Sequence, residues 1–153
     1  MMKKWFAVAL AAWVLAFGAG LALAQDQSEE AKATVDKALA MVKEKGLDPT
    51  LAAIGDKNGP FVKGDLYIFV GDIDKVANVV HPINPNLVGK DFRAVKDVNG
   101  KLFYLDFVNA AKKGSGWVEY AWPKPGEKAP STKRSYIARV PDTTLFFACG
   151  FYK

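Results

Sequence analysis

The chain has a single histidine and a single cysteine, so any chemistry it performs is narrowly constrained. His81 precedes Pro82, at the end of an apolar stretch, with Asp72, Asp74 and Asp91 on either side of it in sequence. An imidazole there can hold its own loop by bonding to backbone, donate a hydrogen bond to a ligand, or form an acid–base pair with a carboxylate. No nucleophile or substrate-orienting motif accompanies it, so the structural reading ranks first, the ligand reading second and the catalytic reading third.

The other candidate constellation is GWVEYAWPKPGEKAPSTKRSYIARV, residues 116–140. In an extended strand Val118, Tyr120 and Trp122 share one side, with Trp117 and Glu119 on the other. Tyrosine and tryptophan combine a large apolar body with a polar tip, which suits the wall of a small-molecule pocket. Across the proline-rich loop lie Lys133 and Arg134. If Trp122 stands opposite Lys133, Tyr120 faces Ser135; a slip of one residue puts Trp122 opposite Arg134 and Tyr120 opposite Tyr136. Either register sets a base beside two aromatics, where it would neutralise a ligand carboxylate, Arg as a planar fork and Lys as a point charge. Trp117 and Phe69 read as core packing instead.

With one cysteine, an intrachain disulfide is impossible, and Cys149, inside the apolar run LFFACGF, reads as a buried thiol. A protein-only zinc site, a CxxCH haem site and a Cys/His nucleophile have no support, so no cofactor is expected. Asp72 and Asp74 would bind a cation only weakly. Lys3 and Lys4, the apolar run from Trp5 to Phe17 and the small-residue end Ala22-Leu23-Ala24 form a secretory signal, with cleavage expected after Ala24. Residues 25–153 would then form one domain, periplasmic or secreted. Losing Lys3 and Lys4 and no acid leaves 19 basic and 16 acidic residues, a net charge of +3. That is too mild and too scattered for a nucleic-acid partner.

The elements that must position these groups follow from periodicity. Ala31, Val35, Ala38, Leu39 and Val42 recur at helical steps, predicting a helix from Asp26, capped by Asp26 with Glu29, to Gly46. A helical turn is expected at 50–54. Leu66-Tyr67-Ile68-Phe69-Val70 is apolar on both parities and predicts a central strand covered on both faces. Further strands are expected at 76–81, 116–122, 133–140 and 144–152, a helix at 101–113 and an irregular loop around Pro82, Pro85 and Gly89. Arg93, in that region, is read either as a guard at the mouth of a pocket or as a surface residue. The arrangement is α+β, and all three C-terminal strands are antiparallel.

In this order the residues resemble the single-Cache domains of bacterial extracellular sensing. The resemblance rests on Tyr67 and Phe69, His81-Pro82 with Asn84-Pro85, Gly89-Lys90-Asp91, Asp97 with Gly100, Gly116-Trp117-Val118-Glu119-Tyr120 with Trp122, Lys133, Ser135-Tyr136, and Gly150 with Tyr152. It implies a PAS-like fold: a long N-terminal helix packed on a central antiparallel sheet, with a small-ligand pocket on the other face. It also implies a ligand set of Tyr67, His81, Tyr120, Trp122, Lys133 and Tyr136, and it favours Lys133 over Arg134; a bulge would be needed to bring Lys133 and Tyr136 to one face. The expected ligand is a small metabolite such as a short carboxylate, and the expected partner a membrane-bound sensor protein. Binding without chemistry is the leading expectation. A domain that docks on a sensor or on itself without a ligand is the alternative, and an enzyme centred on His81 is the third.

Overall fold

The computed structural model describes the backbone of residues 12–153 and the side chains from Asp26 onward. The first part of the expected signal, residues 1–11, lies outside the described residues. Helix α1 (Ala12–Lys45) is followed by α2 (Leu47–Gly55), β1 (Val62–Lys63), β2 (Leu66–Asp72), β3 (Ala77–Val80), α3 (Phe103–Lys112), β4 (Ser115–Pro123), β5 (Pro130–Arg139) and β6 (Leu145–Tyr152). The expected helix over 26–46 is longer at its N-terminal end: Asp26 and Glu29 lie inside α1 and do not cap it. Nothing in the preceding alanine- and leucine-rich stretch breaks a helix, apart from two tolerated glycines. Among the described residues no helix is long and apolar enough to cross a membrane.

The six strands form one antiparallel sheet in the order β1-β2-β6-β5-β4, with β3 paired to β2 beyond β1. The two central strands are apolar on both parities because both of their faces are covered. On one face, Ala31, Val35 and Ala38 of α1 pack with Ile54 of α2 and Phe61 onto Ile68, Val70, Phe147 and Cys149. Cys149 is the buried thiol its setting implied, its pKa pushed up to about 12 by burial. On the other face, Phe103, Tyr104 and Phe107 of α3 close over Tyr67, Phe69, Tyr120, Ile137 and Phe146. The sheet is thus sandwiched between a helical layer and an aromatic lid.

Two glycines on the lid side make room for larger groups. A Cβ on Gly71 would stand 2.1 Å from Phe146 Cζ and 2.5 Å from the Tyr104 hydroxyl, and one on Gly150 would stand 2.2 Å from Ser135 Oγ and 2.8 Å from Lys133 Cε. Short hairpin β1–β2, which the sequence reading did not anticipate, turns at Gly64, whose φ is +58°. Because Gly71 has no space for a methyl group, Gly71→Ala is expected to destabilise the fold by about 1–3 kcal/mol. Urea unfolding should show a lower midpoint at an unchanged m-value, and an unchanged midpoint would mean the lid is looser than described.

Candidate functional site

The register of β4 on β5 decides which side chains meet. Tyr120 pairs with Lys133, Trp122 with Ser131, Val118 with Ser135 and Trp117 with Tyr136, without a bulge. This lies two residues from the Trp122–Lys133 pairing considered above, and a shift of two preserves the faces. Tyr120, Trp122, Lys133 and Ser135 therefore project to the lid side. Tyr136 does not: it packs on Trp117 with ring centroids 5.2 Å apart and lies under the Lys32 ammonium on the α1 side. The expectation that Tyr136 joins the ligand set is corrected by this regular alternation.

Tyr67, Phe69, His81, Tyr120 and Trp122 line a cavity of about 20 Å³ together with Asn78, Phe92, Phe103, Tyr104 and Phe107. That is room for about one water molecule. Phe103 lies nearly parallel to Tyr120, their centroids 5.1 Å apart, and Phe92 stacks on Tyr104 at 4.7 Å. The Tyr120 hydroxyl shares a 3.1 Å hydrogen bond with Ser135 Oγ, and Tyr104 donates to Asn78 Oδ1 at 3.1 Å. Burial pushes the Tyr67, Tyr104 and Tyr120 phenols upward, so all three remain protonated donors at neutral pH. The lid residues from α3 and the 82–92 loop were read in the sequence only as helix face and loop; the clue to them is the aromatic triplet Phe103, Tyr104 and Phe107 on one helical face.

His81 is held from its own loop. The Asn84 backbone N–H donates to His81 Nδ1 at 3.0 Å, which leaves the proton of the neutral imidazole on Nε2. The ring lies nearly parallel to Phe69, with centroids 5.8 Å apart, and tilts against Tyr67 at 5.3 Å. Burial, and secondarily the charge of Lys133, lowers its pKa to about 4, so it is a neutral donor at physiological pH. The acid–base pairing with an aspartate is overturned. Asp72 accepts from the Asp74 and Lys75 backbone N–H groups and the Thr144 hydroxyl, closing the turn after β2. Asp91 pairs with Arg93, whose guanidinium also reaches the Asp74 carbonyl on the exposed surface.

Lys133 is the unusual group. It is fully buried on the central part of β5, and its ammonium stands 3.9 Å from the Tyr67 ring centroid and 4.9 Å from that of Tyr152. Among the described residues, its Nζ is the one buried side-chain polar atom with no hydrogen-bond partner. It sits behind Tyr67, beside the cavity more than on its wall. Tyr152 is fixed there by a 2.7 Å hydrogen bond from its hydroxyl to the Pro123 carbonyl. Burial draws the Lys133 pKa down to about 7. Two larger clefts, of about 290 and 370 Å³, open on the surface, and each holds an exposed ion pair, Lys63–Glu30 and Lys101–Asp106.

A family model described as a Cache domain matches residues 21–153. The methyl-accepting chemotaxis protein McpP of Pseudomonas putida is 33% identical over 89 residues, which are 58% of this chain and 16% of that protein. The match thus spans about one sixth of that receptor's length. A solved periplasmic sensor domain of a chemotaxis protein is 29% identical, with a TM-score of 0.66 over 85% of this chain and 96% of that one. A Cache chemosensory domain solved to explain carboxylic acid recognition is 27% identical, with a TM-score of 0.70 over 85% and 95%. A methyl-accepting chemotaxis protein from Vibrio parahaemolyticus is 25% identical, with a TM-score of 0.72 over 86% and 92%.

An amine whose pKa is lower in the folded state penalises folding wherever it must carry charge. For Lys133 the stability is full above the unfolded value near 10.5 and is lost as pH falls towards about 7. His81 adds a second loss as pH falls from 6.5 through about 4. Lys133→Met is therefore expected to be more stable than the parent at pH 7 by about 1–4 kcal/mol and to lose the alkaline part of this pH dependence. Urea titrations at several pH values check this, and a destabilised variant with the pH dependence intact would refute it.

Proposed function

The chain belongs to the Cache domain family, and on that premise we propose that it is an exported sensory module that binds a short carboxylate on the lid side of its sheet. The observation that carries this reading is the buried, unpaired ammonium of Lys133 beside an aromatic cavity. Leaving a charge desolvated and unpaired is costly, and one ligand carboxylate would relieve that cost. The neutral His81 Nε2–H and the tyrosine hydroxyls around the cavity are donors suited to its second oxygen. The likeness to a Cache domain described for carboxylic acid recognition supports the same ligand class.

Binding then passes, without turnover, to a membrane-bound sensor as partner, in keeping with the chemoreceptor setting of the relatives. Because the cavity has room for about one water, the lid of α3 and the neighbouring loop must part for entry. Acetate, propionate, lactate and pyruvate are the candidates by size; a single cation favours monoanions over dianions.

Thermal unfolding of the protein with these acids, and with acetamide as the uncharged counterpart of acetate, tests the reading. A carboxylate at about 100 times its dissociation constant adds about 2.7 kcal/mol and raises the midpoint by several degrees. Acetamide leaves it unchanged, Lys133→Met loses the shift, and Tyr136→Phe, on the opposite face, keeps it. Since the bound state needs the ammonium, affinity should fall about tenfold per pH unit above about 7. A folded sample, free of carried-over ligand, that responds to none of the acids would exclude the carboxylate site.

A further inference from the structure

We infer that Lys133 does more than attract an anion: its side-chain amine traps the carbonyl of a small 2-oxo acid or aldehyde in the same pocket as a reversible iminium. This rests on the pocket reading above, but on a different property of the group. An ion-pairing lysine needs only its charge, whereas a carbonyl-trapping lysine needs a lone pair, freedom from hydrogen bonds and exclusion of bulk water.

Lys133 meets those needs and the lysines in the described ion pairs do not. Lys32, Lys63, Lys101 and Lys153 are at least two-fifths exposed and each is paired with a carboxylate. The Lys133 amine has neither a carboxylate within ion-pair distance nor a hydrogen-bond partner, and it stands over the faces of Tyr67 and Tyr152. Its side chain occupies the space left by Gly150, where a Cβ would stand 2.8 Å from Lys133 Cε, and its amine lies against Tyr67, itself part of the cavity wall. Burial also favours the uncharged form, and at pH 7 this leaves a fraction of free amine roughly 10²–10³ times that of an exposed lysine.

The step balances within the pocket. The ammonium gives up a proton, its lone pair attacks the carbonyl carbon, and the carbon–oxygen π electrons move to oxygen, which is protonated to a carbinolamine. Loss of that hydroxyl as water, with the proton the ammonium released, leaves an iminium. Net, an ammonium and a carbonyl give an iminium and water, with no oxidant or reductant. The pocket keeps its single positive charge, now held next to the ligand's own carboxylate. The neutral His81 Nε2–H remains a donor to that carboxylate, since its Nδ1 is occupied by the Asn84 backbone.

The test treats the purified protein at pH 7 with glyoxylate and sodium cyanoborohydride, which reduces an iminium to a stable carboxymethyl-lysine, and follows intact mass and peptide maps. The expected result is one rapid adduct on Lys133, formed at least about tenfold faster than on the surface lysines given its larger free-amine fraction, slowed by acetate and absent from Lys133→Arg. Because the map is read on the unaltered chain, the outcome does not depend on how well the variant folds; Lys133→Met serves as a second control. Slow adducts spread over surface lysines, with the Lys133 peptide unmodified, overturn the proposal. If acetate still stabilises such a sample, the carboxylate site stands and only the iminium falls; a Lys133 adduct without any acetate response rejects the carboxylate site and leaves the iminium.

Discussion

One constraint organises this domain: a lysine placed where water cannot reach it. Removing an ammonium from solvent costs several kcal/mol even after relaxation. The chain offsets part of that with two tyrosine faces, since a cation over an aromatic ring recovers about 0.5–2 kcal/mol. Tyr67 comes from β2 and Tyr152 from β6, and the hydrogen bond from Tyr152 to Pro123 ties that arrangement to the end of β4. Gly150 must lack a side chain for the lysine to lie flat across the sheet. Residues far apart in sequence are thus arranged around one positive charge, and a site that were merely structural would gain by replacing it with methionine.

His81 follows from the same charge. An imidazole near a buried ammonium is pushed towards neutrality, and the Asn84 N–H fixes which nitrogen keeps the proton. Two cations side by side would repel, so the neutral imidazole is the form that tolerates the buried ammonium beside it. Proline at position 82 matters here because it ends β3 and starts the turn that returns Asn84 to the imidazole. The histidine is therefore both structural and available: one nitrogen holds the loop while the other is free to donate. The choice posed in the sequence between these two roles was not exclusive.

Much of the fold was legible because alternation and helical spacing report burial directly. The double-sided apolarity of Leu66-Tyr67-Ile68-Phe69-Val70 gave a central strand, and the 31, 35, 38 spacing gave the buried stripe of α1. Of the two hairpin registers left open by the sequence, the one pairing Trp122 with Lys133 has the faces of the structure, because a shift of two leaves every side chain on the same side, whereas the one-residue slip reverses them. Tyr136 was misplaced for the opposite reason: parity alone puts it on the face away from Lys133, and only a bulge could have joined them. The start of α1 was misread because a capping sequence inside a continuous helix-forming stretch has no helix end to cap. The aromatic lid escaped because periodicity shows that Phe103, Tyr104 and Phe107 share a face and says nothing of what that face covers.

The lid determines what occupancy can do to the protein. Loop 97–101 is fastened to the outer edge of β4, where Asp97 Oδ2 accepts from the Ala121 N–H at 3.0 Å and Oδ1 from the Asn99 and Lys101 N–H groups. The same loop leads directly into α3, so the strand bearing Tyr120 and Trp122 and the helix bearing Phe103 and Phe107 are connected on one rim. Parting the stacked Phe103 and Tyr120 rings to admit a ligand must therefore pull against this fastening. On the other face, Ala31, Val35 and Ala38 pack α1 chiefly onto β6 and β5, the strands that carry Tyr152 and Lys133 on the lid side. A close-packed sheet transmits a displacement on one face to the other because it has no spare volume to absorb it. On the reading proposed above, relief of the Lys133 charge and displacement of the lid are two parts of one event, and α1 is the element placed to carry it outward.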